Sequence, residues 1–143
     1  MAETKYGKYI ITEVKPGLDI PDFRKEPEER MTHLFWLGDG VIKGSPHMEC
    51  VWIWKSSDTP GPAPHTHDFD EILGFLGTNP EDITDLGGEM EIWLEDEKHV
   101  IDKSCVIFIP KGMKHCPLRS KRLDRPIIHF VFGTAGTYTG ETK

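Results

Sequence analysis

The sequence predicts an all-β domain. Short apolar segments rich in Val, Ile, Phe and Trp recur along the chain, and this composition is typical of strands. Each segment is closed by Gly, Pro, Asp or Asn, which favour turns. No long stretch shows apolar residues at helical spacing. About nine short strands at this density are typical of a barrel or a two-sheet sandwich, and these alternatives stay open from composition alone.

Each predicted strand is a run of residues that favour extended backbone. Turn-forming stretches such as GDG, PGPAP and PKG separate these runs. In chain order, the strands are predicted near Tyr9, Phe35, Val51, Leu73, Ile92, Val100, Ile107, His115 and His129.

Two segments carry weak helical signals. The first, IPDFRKEPEER, runs from Ile20 to Arg30 and is broken by Pro27. The second, NPEDITDL, allows one helical turn beginning at Pro80 with Asn79 as its cap. This second segment belongs to an acidic insertion, residues 78–89, which is interpreted as a surface loop.

Two polar segments near the C-terminal end are predicted to lie outside the strands. The basic cluster RSKRLDR, from Arg119 to Arg125, is interpreted as a solvated loop. Of this cluster, Arg119 is a candidate for contact with an anionic substrate. The tail, residues 133–143, has little apolar content and is expected to be loosely ordered.

Length and composition predict one folded domain spanning residues 1–143. The chain has 143 residues with 37% apolar and 29% charged side chains, which is ordinary for a soluble globular protein. A net charge of −7 argues against nucleic acid or an anionic membrane as a partner, because both need a basic surface.

The compartment expected is the cytoplasm. Cys50, Cys105 and Cys116 are an odd set without a C-x-x-C pair, so reduced thiols are favoured over a disulfide framework. No basic stretch leads into a long apolar one at the N-terminus, and no apolar run approaches the ~20 residues of a membrane helix.

The stretch HTHDFDE indicates a metal site. Side chains of equal parity share one face of a strand, so an uninterrupted strand from Pro64 to Phe75 would present His65, His67 and Glu71 together. Two imidazoles and a carboxylate suit Zn, Fe, Ni or Cu. Downstream, PKGMKH places a tight turn ahead of His115, a candidate fourth ligand.

These two stretches resemble the paired signatures of the cupin superfamily. HTHDFDE is similar to the first, G-x5-H-x-H-x3-4-E-x6-G, and PKGMKH to the second, G-x5-P-x-G-x2-H-x3-N. The sequence departs from both signatures. In the first, the trailing glycine falls one residue early, at Gly77. In the second, Ser104 stands in place of the opening glycine and Arg119 in place of the closing asparagine. None of these departures falls on a candidate ligand.

The resemblance implies a jelly-roll barrel, also called a double-stranded β-helix, with its core at about residues 47–132 between an N-terminal arm, residues 1–46, and the C-terminal tail. It implies one divalent transition metal, Fe, Mn, Zn or Ni, held by four residues: His65, His67, Glu71 and His115. The implied functions are metal-dependent enzymes of the dioxygenase, isomerase, decarboxylase or lyase type that act on a small oxygen-rich or aromatic molecule. The alternative is a non-catalytic binding or sensor module. By the same analogy a homodimer is expected.

The remaining histidines, His33, His47, His99 and His129, lack a second ligand type at useful spacing, so structural roles are favoured. His129, in the last apolar strand, is kept as a candidate outer-sphere or acid–base residue. His47 and Glu49 have equal parity and would share one face of a strand, so they are treated with the same caution as His129.

Overall fold

The protein folds as two antiparallel β-sheets packed face to face. The computed structural model describes residues 4–18, 29–59, 61–135 and 141–142. Sheet A has the strand order β1-β2-β9-β4-β7 and sheet B the order β10-β3-β8-β5-β6. The strands are β1 Met31–Leu37, β2 His47–Ile53, β3 His65–Thr66, β4 Glu71–Gly77, β5 Asp85–Leu94, β6 Glu97–Lys103, β7 Cys105–Ile109, β8 His115–Leu123, β9 Ile127–Gly133 and β10 Glu141–Thr142.

The predicted strands from Phe35 onward are confirmed, and the one near Tyr9 is wrong. Gly7–Tyr9 form a short 3-10 helix, and the residues that follow are irregular. Tyr9 and Ile10 are exposed, and no strand among the described residues pairs with this run. Conversely β1 pairs with β2, so sheet A begins inside the segment expected to be an arm.

The acidic segment near Pro80 forms a turn at the predicted place, with Asn79 as its cap, but no helix. Asn79 Oδ1 accepts a hydrogen bond from the backbone N–H of Glu81, and Asp82 Oδ1 accepts one from that of Thr84. The first of these bonds is that of an N-cap, and the N–H of Asp82 donates to the carbonyl of Asn79 at 3.3 Å, which closes a single turn. Of the other helical candidate, residues 20–28 lie outside the described part of the chain.

The basic cluster after Arg119 is mostly strand, in contrast to the predicted loop. β8 runs through Leu123, and Arg119 pairs with Glu91 on β5. The expected loose tail also contributes a short strand, because Glu141 and Thr142 pair with β3.

The core lies between the two sheets and is lined by alternate residues of each strand. On β2 and β9 the odd-numbered side chains are buried, and their neighbours are only partly covered. The largest fully buried apolar side chains are Phe75, Leu86, Met90, Ile92, Ile109 and Ile127.

Two of the departures from the cupin signatures contact each other. Ser104 Oγ accepts a hydrogen bond from the N–H of Gly77 and donates one to the carbonyl of Ile83. A Cβ on Gly77 would lie 1.8 Å from the carbonyl oxygen of Asp85, so this position needs glycine. Ser104 and Gly77 thus fasten the acidic insertion to sheet A.

Among the described residues, no helix has the length and apolar character needed to span a membrane.

Candidate metal centre

Three imidazoles come together in the interior, on and beside sheet B. His65 on β3 lies directly opposite His115 on β8 in the antiparallel register. Their ring centroids are 4.4 Å apart, and the ring of His67 lies 4.8 Å from that of His65 and 5.1 Å from that of His115. All three side chains are buried. The nitrogen atoms they offer lie within 4.8 Å of one another, an arrangement that could hold a metal ion.

Glu71 reaches the same cluster from sheet A. Its Oε2 lies 3.4 Å from Nε2 of His67, and its Oε1 lies 3.2 Å from Nε2 of His115. The carboxylate is fully buried. The cluster therefore spans both sheets, with a carboxylate from one facing imidazoles from the other.

The predicted uninterrupted strand from Pro64 to Phe75 is wrong. β3 ends at Thr66 and β4 begins at Glu71, and residues 67–70 cross from sheet B to sheet A. His65, His67 and Glu71 still converge, because the crossing segment keeps His67 and Phe69 buried.

Backbone carbonyls fix the tautomers of two imidazoles. Nδ1 of His65 lies 2.7 Å from the carbonyl oxygen of Ala63, and Nδ1 of His115 lies 3.0 Å from that of Met113. Because a carbonyl only accepts, each Nδ1 carries the proton, and each Nε2 presents a lone pair when the ring is neutral. This is the outer-sphere arrangement that orients histidine ligands in metal sites.

Hydrogen bonds also clamp together the two segments that carry these residues. The turn after Pro110 places the N–H of Gly112 3.0 Å from the carbonyl oxygen of His67. The N–H of Lys111 donates to Asp70 Oδ1 at 2.9 Å. Gly112 adopts φ 85°, a left-handed conformation that glycine tolerates, which explains its place in the turn. The turn and the crossing segment therefore hold His115 and His67 in register.

The donor set fits a divalent cation. Nε2 of His65 is buried and finds no hydrogen-bond partner in the described part of the chain. Burial lowers the pKa of the His65 imidazole below its usual value of 6.5, and the nearby rings of His115 and His67 lower it further. A neutral imidazole with an inward lone pair, beside a buried carboxylate, is suited to a metal and poorly suited to apolar packing.

His129 lies deeper in the barrel. It pairs with Phe75 across β9 and β4, whereas Glu71 pairs with Gly133, four residues further along the strand. At about 3.3 Å per residue this is roughly 13 Å along the sheet. Its Nδ1 donates to the carbonyl of Gly74 at 2.9 Å, and its ring stacks on Phe75.

The structure contains a second buried polar cluster, which the sequence did not predict. On β2, Nε2 of His47 lies 3.0 Å from Oε2 of Glu49, and Nε2 of His33 on β1 lies 3.3 Å from its Oε1. Trp36 packs edge-on against His47. The shared parity of His47 and Glu49 is visible in the sequence. His33 joins them because β1 pairs with β2 and places it opposite Val51, two residues from Glu49.

The position of Arg119, a candidate for contact with an anionic substrate, does not support that role. Arg119 is on the outer side of sheet B, where its Nε lies 3.9 Å from Oε2 of Glu91. Its neighbour Ser120 is the residue that faces the interior and is buried.

A surface groove lies beside the imidazole cluster. Its volume is about 340 Å³, within the range of small-molecule sites. Phe69 lines the groove and also stacks on His67, with ring centroids 4.7 Å apart. The lining residues are Asp68, Phe69, Asp70, Lys111, Thr134 and Ala135.

Comparison with solved structures identifies the fold. No protein-family model matches the sequence, and no curated protein matches it. A recombinant oxalate oxidase in complex with glycolate superposes with a TM-score of 0.52 at 13% identity over 87% of this chain. The chain spans only 59% of the length of that oxidase.

Two further structures are similar over more of their own length. The polyketide cyclase RemF from Streptomyces resistomycificus has a TM-score of 0.51 at 17% identity, covering 80% of this chain and 71% of RemF. A cupin-like protein from Thermotoga maritima has a TM-score of 0.51 at 14% identity, covering 79% of this chain and 74% of that protein.

The chain is thus an all-β protein of the double-stranded β-helix class, with a histidine cluster inside that could hold a metal. Its fold is that of the cupins, as the two sequence stretches predict.

Proposed function

We propose that the protein is a metal-dependent cupin enzyme that acts on a small oxygen-rich or aromatic organic molecule. In this proposal one divalent transition metal is held by His65, His67, Glu71 and His115. The observation that carries the proposal is the convergence of three buried imidazoles on one buried carboxylate from the opposite sheet.

Charge supports the inclusion of Glu71. A buried carboxylate is costly unless a cation compensates it, and the imidazole of His65 is held neutral by burial. Three neutral imidazoles and one carboxylate carry one negative charge, so a divalent ion would leave the site with a single positive charge. That residual charge favours ligands with anionic or electron-rich oxygen atoms.

When bound, the metal would supply Lewis acidity that polarises an oxygen-bearing substrate. The residues of the chain supply position and exclusion of water. His65 and His115 are oriented by carbonyls, and Phe69 separates the cluster from the groove. The position of His129, deeper in the barrel, gives it no role at the metal in this proposal.

Metal content tests the ligand assignment. Purified protein dialysed against Zn²⁺ or Mn²⁺ and then desalted should retain about one metal equivalent per chain, measured by elemental mass spectrometry. His65→Ala, His115→Ala and Glu71→Gln should each lose most of it. His99→Ala is the matched control, because His99 is exposed and pairs with Glu97 on the outside. Full metal content in the His65→Ala/His115→Ala double variant would overturn the assignment.

Catalysis is tested separately, on metal-loaded protein. Small carboxylates, hydroxy acids, sugars and phenols are screened for thermal stabilisation, and each stabilising compound is then incubated and followed by mass spectrometry. Conversion that is lost in Glu71→Gln supports an enzyme. Quantitative recovery of every stabilising compound would instead establish a binding or sensor module.

A further inference from the structure

The buried cluster of His33, His47 and Glu49 lies at the same end of the barrel as the candidate metal centre. Glu71 on β4 pairs with Gly133 on β9, and Gly133 pairs in turn with His47 on β2. At about 4.8 Å between neighbouring strands, the backbones of Glu71 and His47 are roughly 10 Å apart across sheet A. Both side chains are buried in the interior. A small molecule bound between them would contact both clusters.

The position on sheet A between Glu71 and His47 is occupied by a glycine. A Cβ added to Gly133 would lie 2.9 Å from Cε2 of Phe69 and 3.7 Å from Cβ of His47. Phe69 also lines the surface groove, as does Ala135, whose carbonyl accepts a hydrogen bond from the N–H of His47. The groove therefore lies directly beside His47, and the ring of Phe69 offers an aromatic face to a planar, unsaturated molecule.

Glu49 fixes the tautomer of His47. One carboxylate oxygen of Glu49 lies 3.0 Å from Nε2 of His47, and the other lies 3.3 Å from Nε2 of His33. An ionised carboxylate only accepts hydrogen bonds, so both Nε2 atoms carry protons, and Nδ1 of His47 is the nitrogen able to take up another. His65 and His115 have the opposite tautomer, because their Nδ1 atoms donate to backbone carbonyls.

Charge favours the uptake of a proton by this cluster. Glu49 and two neutral imidazoles together carry one negative charge, which is costly in the interior. A proton added to His47 would cancel that charge, and the carboxylate 3.0 Å away would stabilise the imidazolium. Trp36 packs edge-on against the His47 ring, with centroids 4.8 Å apart, and limits its rotation. The ring is therefore held in one orientation with a base ready at Nδ1.

We propose that His47, oriented by Glu49, accepts a proton from a weakly acidic hydroxyl group of the substrate, such as that of a phenol or an enol. The O–H bond breaks, the proton adds to Nδ1 of His47, and the electron pair stays on the substrate oxygen. Such hydroxyl groups stay protonated in neutral water, as that of tyrosine does, so their ionisation needs a base within hydrogen-bond reach. The inference rests on the proposed function, because it places His47 beside the substrate of that site.

The tautomer of His47 can be measured without a metal or a substrate. Long-range proton–nitrogen NMR spectra of chelator-treated protein should show His47 and His33 with the proton on Nε2, and His65 and His115 with the proton on Nδ1. Replacement of each histidine by glutamine assigns its signals. A His47 ring protonated on Nδ1 would overturn the inference, whatever the outcome of the metal and turnover experiments.

A chromophoric hydroxyl compound tests the proton transfer. The probe is p-nitrocatechol, whose visible spectrum changes when its hydroxyl groups ionise, added at neutral pH to protein loaded with Zn²⁺, which has no visible bands of its own. His47→Gln should lower the ratio of ionised to protonated bound probe about tenfold, because an opposite charge within reach of an acid favours its ionised form by at least about that factor. Glu49→Gln should lower the ratio too, since it removes the carboxylate that stabilises the imidazolium.

His99→Gln is the matched control. His99 and Glu97 repeat the spacing of His47 and Glu49 on an exposed strand, with Nε2 3.2 Å from Oε1, so the ratio should be unchanged. The Zn²⁺ content and melting temperature of each variant are measured alongside.

The outcomes separate this inference from the proposed function. Wild-type protein that retains no Zn²⁺ would overturn both. Retained Zn²⁺ with no binding of the probe, or with the same ratio in wild type and His47→Gln, would overturn this inference alone. Loss of Zn²⁺ from a folded His47→Gln variant would also overturn it, since His47 would then support the metal and not the substrate.

Discussion

His65 and His115 lie opposite each other in the register of β3 and β8, and each donates its Nδ1–H to the carbonyl two residues before it. The two imidazoles come from segments fifty residues apart, yet the same local hydrogen bond orients them. Neither ring can turn its Nδ1 inward without giving up that bond. Two lone pairs are thus directed into the interior before any metal binds, which reduces the reorganisation that binding requires.

The lowered pKa of His65 predicts acid sensitivity of the metal-free protein. The unfolded chain binds a proton at His65 below about pH 6.5, whereas the folded chain keeps this ring neutral to a lower pH. Stability therefore falls as the pH drops below 6.5, by up to about 1.4 kcal/mol per pH unit from this group, until the folded-state pKa is passed. Urea denaturation of chelator-treated protein between pH 5 and 7.5 measures the slope.

His65→Gln should flatten that slope, because glutamine does not titrate. His99→Gln is the control, since His99 is exposed and its replacement should leave the slope at the wild-type value. Equal slopes for wild type and His65→Gln would show that burial does not perturb His65.

The sequence predicted which side chains come together in the candidate site better than the path of the chain between them. Equal parity grouped His65, His67 and Glu71, but the segment leaves one sheet at Thr66 and enters the other at Glu71. Parity reports which side of the backbone a side chain takes. It contains no information about which strands pair, because pairing is decided by contacts far apart in the sequence.

The buried cluster around Glu49 shows the same limit. His47 and Glu49 share a strand, so their proximity follows from spacing alone. His33 joins them only because β1 pairs with β2 and places it opposite Val51, two residues from Glu49. The bulge that follows His33 changes the parity of the residues beyond it, so the even-numbered Trp36 is buried against His47, and nothing in the local sequence reports this.

Glu49 and Glu97 form a matched pair that tests the energetics of this cluster. Each lies two residues from a histidine on the same strand, at 3.0 Å for His47 and 3.2 Å for His99, but the first pair is buried and the second exposed. Glu49→Ala should lower the free energy of unfolding by about 1 to 3 kcal/mol, because it leaves buried imidazole nitrogens without their hydrogen-bond partner. Glu97→Ala should have no measurable effect. Similar losses for both, by urea denaturation at pH 7.5, would contradict a structural role for the buried Glu49 cluster.

Gly133→Ala should weaken metal binding by overpacking the ring next to His67. A Cβ at Gly133 would lie 2.9 Å from Cε2 of Phe69, the ring that stacks on His67. Overpacking of this kind costs about 1 to 3 kcal/mol, and the displaced ring presses on an imidazole of the cluster. Zn²⁺ affinity, measured by competition with a chromophoric chelator, should therefore fall about tenfold, since 1.4 kcal/mol corresponds to a factor of ten.

Gly40→Ala is the control, because nothing lies within 4 Å of a Cβ there. An unchanged Zn²⁺ affinity in Gly133→Ala, alongside a lowered melting temperature, would show that Phe69 moves away from His67 and that its stacking does not position this imidazole.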